Sequence, residues 1–139
     1  MVLHKTLTFD TTPRSFKMIT SEVESVVRGS GIKQGLCTVF IRHTSASVLI
    51  TENADSAVRR DLERFMQRVA PDGSPEYEHD AEGADDMPAH IRNMLTSCSI
   101  SVPVIDGGLA MGTWQGLYVW EHRAYRHSRE IIVTVVGEK

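Results

Sequence analysis

Residues 3 to 9 alternate between apolar and polar. Leu3, Leu7 and Phe9 fall on one side of an extended chain with Lys5, while His4, Thr6 and Thr8 fall on the other. This period of two predicts a half-buried strand. Pro13 interrupts it, and Ser15 to Ile19 reads as a second short strand. Thr20 or Ser21 then offers a helix N-cap, with Glu24 three residues after Ser21 completing a capping box. Val23, Val26 and Val27 give that helix its stripe, and Gly29 gives it a stop. Gly35 opens a strand through Leu36, Val39 and Ile41 towards His43, and the Thr, Val and Ile content of Ser45 to Thr51 predicts a neighbouring strand.

The strongest helical period follows. Val58, Leu62, Phe65, Met66 and Val69 recur at helical spacing, with Arg59, Arg60, Glu63, Arg64 and Arg68 opposite them. Asn53 or Asp55 is placed to cap this helix, and Pro71-Asp72-Gly73 ends it. Residues 74–86 are polar and acidic, which predicts a solvated loop. Tyr77 and His79 are unusual within it, and loops of this length in small domains are often functional. A short helix is expected from about Met87, capped by Asp85 or Asp86, with Pro88 in its first turn and Ile91, Met94 and Leu95 buried.

Alternation returns in the last third. Ile100, Val102 and Val104 mark a strand, and Asp106-Gly107-Gly108 a turn. From Gly116 to His122 the pattern places Tyr118, Trp120 and His122 on one face, with Leu117, Val119 and Glu121 on the other. Glu130 to Val136 is a β-branched run suited to a largely buried strand. The order of elements predicts a single α+β domain over residues 1–139. A mixed, mostly antiparallel, sandwich-like sheet would carry two longer helices and one short one.

Composition narrows the function classes. A chain of 139 residues with 41% hydrophobic content suits one core, and a formal charge of −3 supplies no basic field for nucleic acid. Neither a signal-peptide core near Met1 nor a membrane-length apolar run is present. The sparse cysteines, Cys37 and Cys98, stand in apolar stretches. They read as core residues of a protein in a reducing compartment, with the cytoplasm expected.

Six histidines are more than core packing usually needs. His43 and His122 end strands, and His90 lies on the short acid-capped helix; neutral imidazoles of this kind can bind zinc. Their spacing forms no local ligand motif, so each also reads as a surface histidine or a satisfied core one. Glu52-Asn53-Ala54-Asp55 and Asp85-Asp86 bring carboxylates nearby in sequence. These could orient imidazoles, move protons, hold magnesium with substrate phosphates, or cap helices. Glu52 is the hardest to explain structurally. Gly112-Thr113-Trp114-Gln115-Gly116 suits either a tight turn or a backbone approach to a ligand, with Trp114 able to stack on a ring. Ser45, beside His43, and Arg123, Arg126 and Arg129 are candidates for an anion; their alternatives are plain strand and turn residues.

These segments together resemble the YjbQ-like family. The resemblance rests on His43-Thr44-Ser45-Ala46-Ser47, Glu52-Asn53-Ala54-Asp55, Tyr77-Glu78-His79-Asp80, the run from Glu82 to Ile91, Gly112 to Gly116, and Glu121-His122-Arg123. It implies a homotrimeric α+β protein with a histidine-built site for a divalent metal, zinc first and magnesium with substrate phosphates second. The implied ligands are His43, His90 and His122, with His79 in reserve. Glu52 and Asp86 would be catalytic carboxylates, and Ser45, Asn53, Asp55, Thr113, Gln115 and Arg123 would hold the anionic substrate. The activity implied is that of a secondary thiamine-phosphate synthase, a transferase joining a pyrimidine pyrophosphate to a thiazole phosphate. A metal-dependent phosphohydrolase and a non-enzymatic metal-binding or ligand-binding protein are the alternatives. Neither a nucleic acid nor a membrane is an expected partner.

Overall fold

The computed structural model describes residues 1–139 throughout. Its strands are β1 (Val2–Asp10), β2 (Phe16–Met18), β3 (Gln34–Ile41), β4 (Ala46–Glu52), β5 (Ser99–Ile105), β6 (Gly108–Leu109), β7 (Gln115–Glu121) and β8 (Ser128–Glu138). The helices are α1 (Thr20–Ser30), α2 (Ser56–Val69) and α3 (Asp86–Leu95). A five-stranded sheet runs β1-β8-β3-β5-β6, and a three-stranded sheet runs β2-β7-β4. Every pairing is antiparallel, from Val2↔Val136 at one edge of the larger sheet to Ile105↔Gly108 at the other.

Strand periodicity explains the layers. Cys37, Val39 and Ile41 on β3 and Ile131, Val133 and Val135 on β8 point inward. They meet Ala46, Val48, Leu117 and Val119 of the smaller sheet, with Val23 and Val27 of α1 closing the core. The opposite side of the smaller sheet is covered by helices. Arg59 of α2 bonds the Tyr118 hydroxyl, and Trp120 donates to Glu63 of α2. β7 is therefore buried on both faces, although the alternation of its sequence is clean.

Several local expectations are corrected. No side-chain cap forms at α1; Glu24 instead accepts from the Leu109 N–H and pairs with Arg28. The helix passes Gly29 and stops at Gly31, whose φ of 73° is left-handed. Asp55, as expected, caps α2 by accepting from the Ala57 N–H at 2.9 Å. Of the α2 stripe, however, only Met66 is buried, and Phe65 and Val69 are exposed. The helix turns Arg59 and Glu63 towards the small sheet because polar partners await them there.

The short helix α3 departs further. Met94 and Leu95 are exposed, while Arg92 is fully buried against Glu63. Cys37 is buried, and its thiol is pushed up to about 11 by burial and by Glu24. Cys98, expected in the core, is exposed. The turn at Asp106 and Gly107 is as expected, both residues having positive φ.

Candidate metal centre

The acidic loop ends where α3 begins, and a single arginine fixes that junction. Arg123, just beyond β7, donates from Nε to Asp85 Oδ2 at 2.8 Å and reaches Asp86 Oδ1 from Nη1 at 2.9 Å. Its Nη2 donates to the Glu82 carbonyl at 2.9 Å. The Ala124 N–H adds a bond to Asp85. Asp85 thus serves Arg123 rather than capping α3.

With Oδ1 occupied, Asp86 presents Oδ2 to two imidazoles. His79 Nε2 is 2.7 Å away, and His90 Nε2, four residues along α3, is 3.3 Å away. The ligand atoms of His79, Asp86 and His90 all lie within 4.8 Å of one another. Burial alone would raise the Asp86 carboxyl. Hydrogen bonding with His79 and Glu82, and the charges of Arg123 and His90, outweigh burial and hold it below the usual carboxylate range. Asp86 is almost wholly enclosed, yet the two rings open to solvent. A cleft of about 280 Å³ adjoins His79, lined also by Tyr77, Asp80 and Met87 among others.

The donor set fits a metal for a reason visible at His90. Its Nδ1 is 2.9 Å from the Thr44 carbonyl, which can only accept, so Nδ1 carries the hydrogen. In a neutral ring Nε2 then has only a lone pair, and that lone pair faces Asp86 Oδ2. Two acceptors at 3.3 Å need a proton or a cation between them. A backbone carbonyl that fixes the tautomer is the usual outer partner of a metal-binding histidine. Two nitrogens and one carboxylate oxygen suit zinc and leave room for a further ligand.

The two other expected ligands lie outside this group. His43 Nε2 accepts the Glu130 N–H at 2.8 Å, so the lone pair a metal would use is already engaged. Burial and Arg129 lower its pKa. His122 is fully buried, with Nε2 against the Ser47 hydroxyl. Within one chain, the side chains whose ligand atoms converge are His79, Asp86 and His90, whereas the expected trio was His43, His90 and His122. The reserve histidine enters because the loop folds back onto the first turn of α3.

The other expected site residues serve the backbone. Glu52 Oε2 accepts the N–H groups of Ala54 and Asp55, at 3.0 and 2.9 Å, which explains a carboxylate at the end of an apolar strand. Asn53 donates to the carbonyls of Thr113 and Gln115, and Gln115 Oε1 accepts the Gly112 N–H at 2.8 Å. The glycine-flanked segment is therefore a braced turn, with Thr113 and Trp114 exposed at its tip. Ser45 accepts from Arg129. Among the expected anion-binding residues, Arg123 alone touches the His79–Asp86–His90 group.

Sequence reasoning missed a buried polar layer. Glu121, inaccessible to solvent, accepts from Thr11 and Arg129, while Arg129 also donates to the Ser45 carbonyl. The period of β7 places Glu121 inward but cannot show that Arg129 lies opposite. His122 shows the electrostatic consequence of such a layer. Burial, followed by the charges of Arg92, Arg129 and Arg14, depresses it to about 3. The folded protein excludes its proton until far below 6.5, whereas the unfolded chain binds one as pH falls through 6.5. Stability from this residue is full above the unfolded value and declines progressively between 6.5 and about 3. Urea unfolding of wild type and His122→Gln should show this: wild type loses more stability between pH 7 and about 5 than the variant. Parallel pH profiles would remove His122 as the cause.

The chain matches the YjbQ family, described as UPF0047 protein YjbQ-like, across residues 5–138. It is 50% identical over 132 residues to UPF0047 protein sll1880 of Synechocystis, covering 95% of this chain and 90% of that one. It is 43% identical to UPF0047 protein YjbQ of Escherichia coli O157:H7, covering 99% and 100% of the two chains. In three dimensions it resembles a yjbq/upf0047 family protein from Clostridium acetobutylicum, with a TM-score of 0.87 and 33% identity over 95% of this chain and 99% of that one. A YbjQ-like protein from Sulfolobus solfataricus superposes with a TM-score of 0.91 at 26% identity, covering 99% of both chains. Continuous over the strands, the helices and the acidic loop alike, this similarity establishes that the chain belongs to the YjbQ-like UPF0047 family.

Proposed function

We propose that this protein is a divalent-metal transferase acting on phosphorylated small molecules, with zinc as the first candidate metal and magnesium as the second. The observation that carries the reading is the convergence of His79 Nε2, Asp86 Oδ2 and His90 Nε2, all within 4.8 Å of one another. A metal held there supplies a compact positive charge for an anionic leaving group. Arg123 keeps Asp86 ionised and turned towards the histidines, and the Thr44 carbonyl fixes the His90 ring. Tyr77 and Met87 border the adjoining cleft, where a substrate can approach His79.

The reaction favoured by the resemblance is thiamine-phosphate formation. The bond between the pyrimidine methylene and pyrophosphate breaks, its electron pair leaves with pyrophosphate, and the thiazole nitrogen forms the new C–N bond. Stabilising the leaving group and aligning two rings are the main demands of such a step, and no general base is needed. This removes the need for an acid/base role at Glu52. We also assign the protein to a homotrimer in the cytoplasm. Exposed Leu36, Phe40 and Val136 on the larger sheet support assembly, and two free cysteines suit a reducing compartment.

The test is product analysis with zinc-loaded protein, the pyrimidine pyrophosphate and the thiazole phosphate. Equal amounts of coupled product and pyrophosphate, lost on chelation, are expected. Inorganic phosphate without coupling would replace the transferase with a phosphohydrolase. Full metal loading with no turnover of either kind would leave a metal-binding protein.

A further inference from the structure

A second cleft, of about 460 Å³, lies between α2 and the segment leading into β2. Its volume falls in the range of small-molecule sites. Arg14, Arg59, Arg60 and Arg64 line it, together with Glu63 and Phe16. The balance of charge there is less even than this composition suggests. Glu63 is committed to the fully buried Arg92, whose Nη1 lies 2.9 and 2.8 Å from its two oxygens. Arg14 faces Asp72 at 2.8 Å, and Arg64 faces Asp61 in an exposed pair that water screens.

Arg59 and Arg60 have no such compensation. Arg59 Nη1 donates to the Glu52 carbonyl at 3.0 Å and the Tyr118 hydroxyl at 2.9 Å, with its guanidinium 5.1 Å from the Tyr118 ring centre. Arg60 Nη1 donates to the Ser56 hydroxyl at 2.8 Å. Both cations rest on neutral oxygens, and each keeps N–H groups free. A guanidinium presents its donors as a fork matched to two oxygens of one phosphate. Phe16 supplies the apolar wall, held in place by Trp120 stacked at 4.4 Å and 25°.

We propose that this cleft binds the phosphate or pyrophosphate group of a small molecule, with Arg59 and Arg60 as the principal contacts, Arg64 assisting, and Phe16 beside an attached ring. The inference rests on the reading that the substrate is phosphorylated and locates its charge. Arg14 and Gln67 line both this cleft and a smaller pocket that reaches Asp72. A polynucleotide fits less well, because exposed Asp61 interrupts the positive surface and the chain is net negative.

Calorimetric titration of metal-free, full-length protein with inorganic pyrophosphate tests this separately from catalysis and from the metal. Wild type and His79→Ala should bind alike. Arg60→Gln/Arg64→Gln, both at exposed positions and remote from the core, should bind at least about tenfold more weakly with an unchanged melting temperature. Arg59→Lys should weaken binding while keeping the charge. Absence of pyrophosphate binding in wild type, equal binding by Arg60→Gln/Arg64→Gln, or loss in His79→Ala alone would overturn the assignment. Tighter binding of a single-stranded oligonucleotide, weakened by the same arginine changes, would overturn it in favour of nucleic acid.

Discussion

His79→Ala, His90→Ala and Asp86→Asn should each strip zinc from the protein, whereas His43→Ala and His122→Gln should retain it. Removing a ligand should cost more than the roughly 10–100-fold affinity loss expected for an outer partner. Elemental analysis after dialysis against a weak chelator reads the difference directly. Asp86→Asn is the most informative variant because it preserves shape but removes the anion shared by Arg123 and the two imidazoles. Arg123→Gln should weaken zinc binding by the smaller, outer-partner amount, since it leaves all three donors in place. Zinc retained by both His79→Ala and His90→Ala, or lost specifically from folded His43→Ala and His122→Gln, would return the site to the grouping expected from the resemblance.

Glu121→Ala should be the most destabilising single change in the buried polar layer, at about 3–5 kcal/mol, because it leaves Arg129 enclosed without its counter-charge. For a chain of this size that corresponds to a fall in melting temperature of roughly 10–20 °C, measurable by calorimetry. Replacing Glu121 and Arg129 together by well-packed apolar residues should recover much of the loss. The pH dependence follows from the same network. Burial pushes the Glu121 carboxyl up, but hydrogen bonds from Arg129, Thr11 and the Arg123 N–H, with the charge of Arg129, hold it below its ordinary 4.5. Its contribution is therefore present above 4.5 and lost as pH falls through the depressed folded value. A melting temperature unchanged in Glu121→Ala would mean that water reaches Arg129 and that the pair is not closed.

What was legible at the level of secondary structure was legible for local reasons. Alternation marked β1, β5 and β7 because one residue's side-chain direction sets the next. The turn at Asp106-Gly107 needed only the positive φ those residues tolerate. The same logic failed on α2 and α3, where apolar spacing pointed to Phe65, Val69, Met94 and Leu95. Helical period identifies an apolar face, but it cannot say that Glu63 and Arg92 will bury each other and turn both helices. Glu52 looked catalytic because its two backbone partners exist only once the following turn has formed.

The candidate site divides in the same way. Sequence by itself determined the α+β class, the antiparallel habit of the strands and the family, because these depend on neighbours along the chain and on motifs kept in order. The Asp86–His90 spacing was also readable as one turn of a helix. Only the tertiary structure decided that His79 returns across the loop to Asp86, that His43 and His122 are held elsewhere, and that Arg123 braces the centre from beyond β7. A metal selects atoms by separations of a few ångströms and by which lone pairs are free. Here both depend on the acidic loop folding back onto α3, and on the Thr44 carbonyl and the Arg123 guanidinium arriving from distant segments.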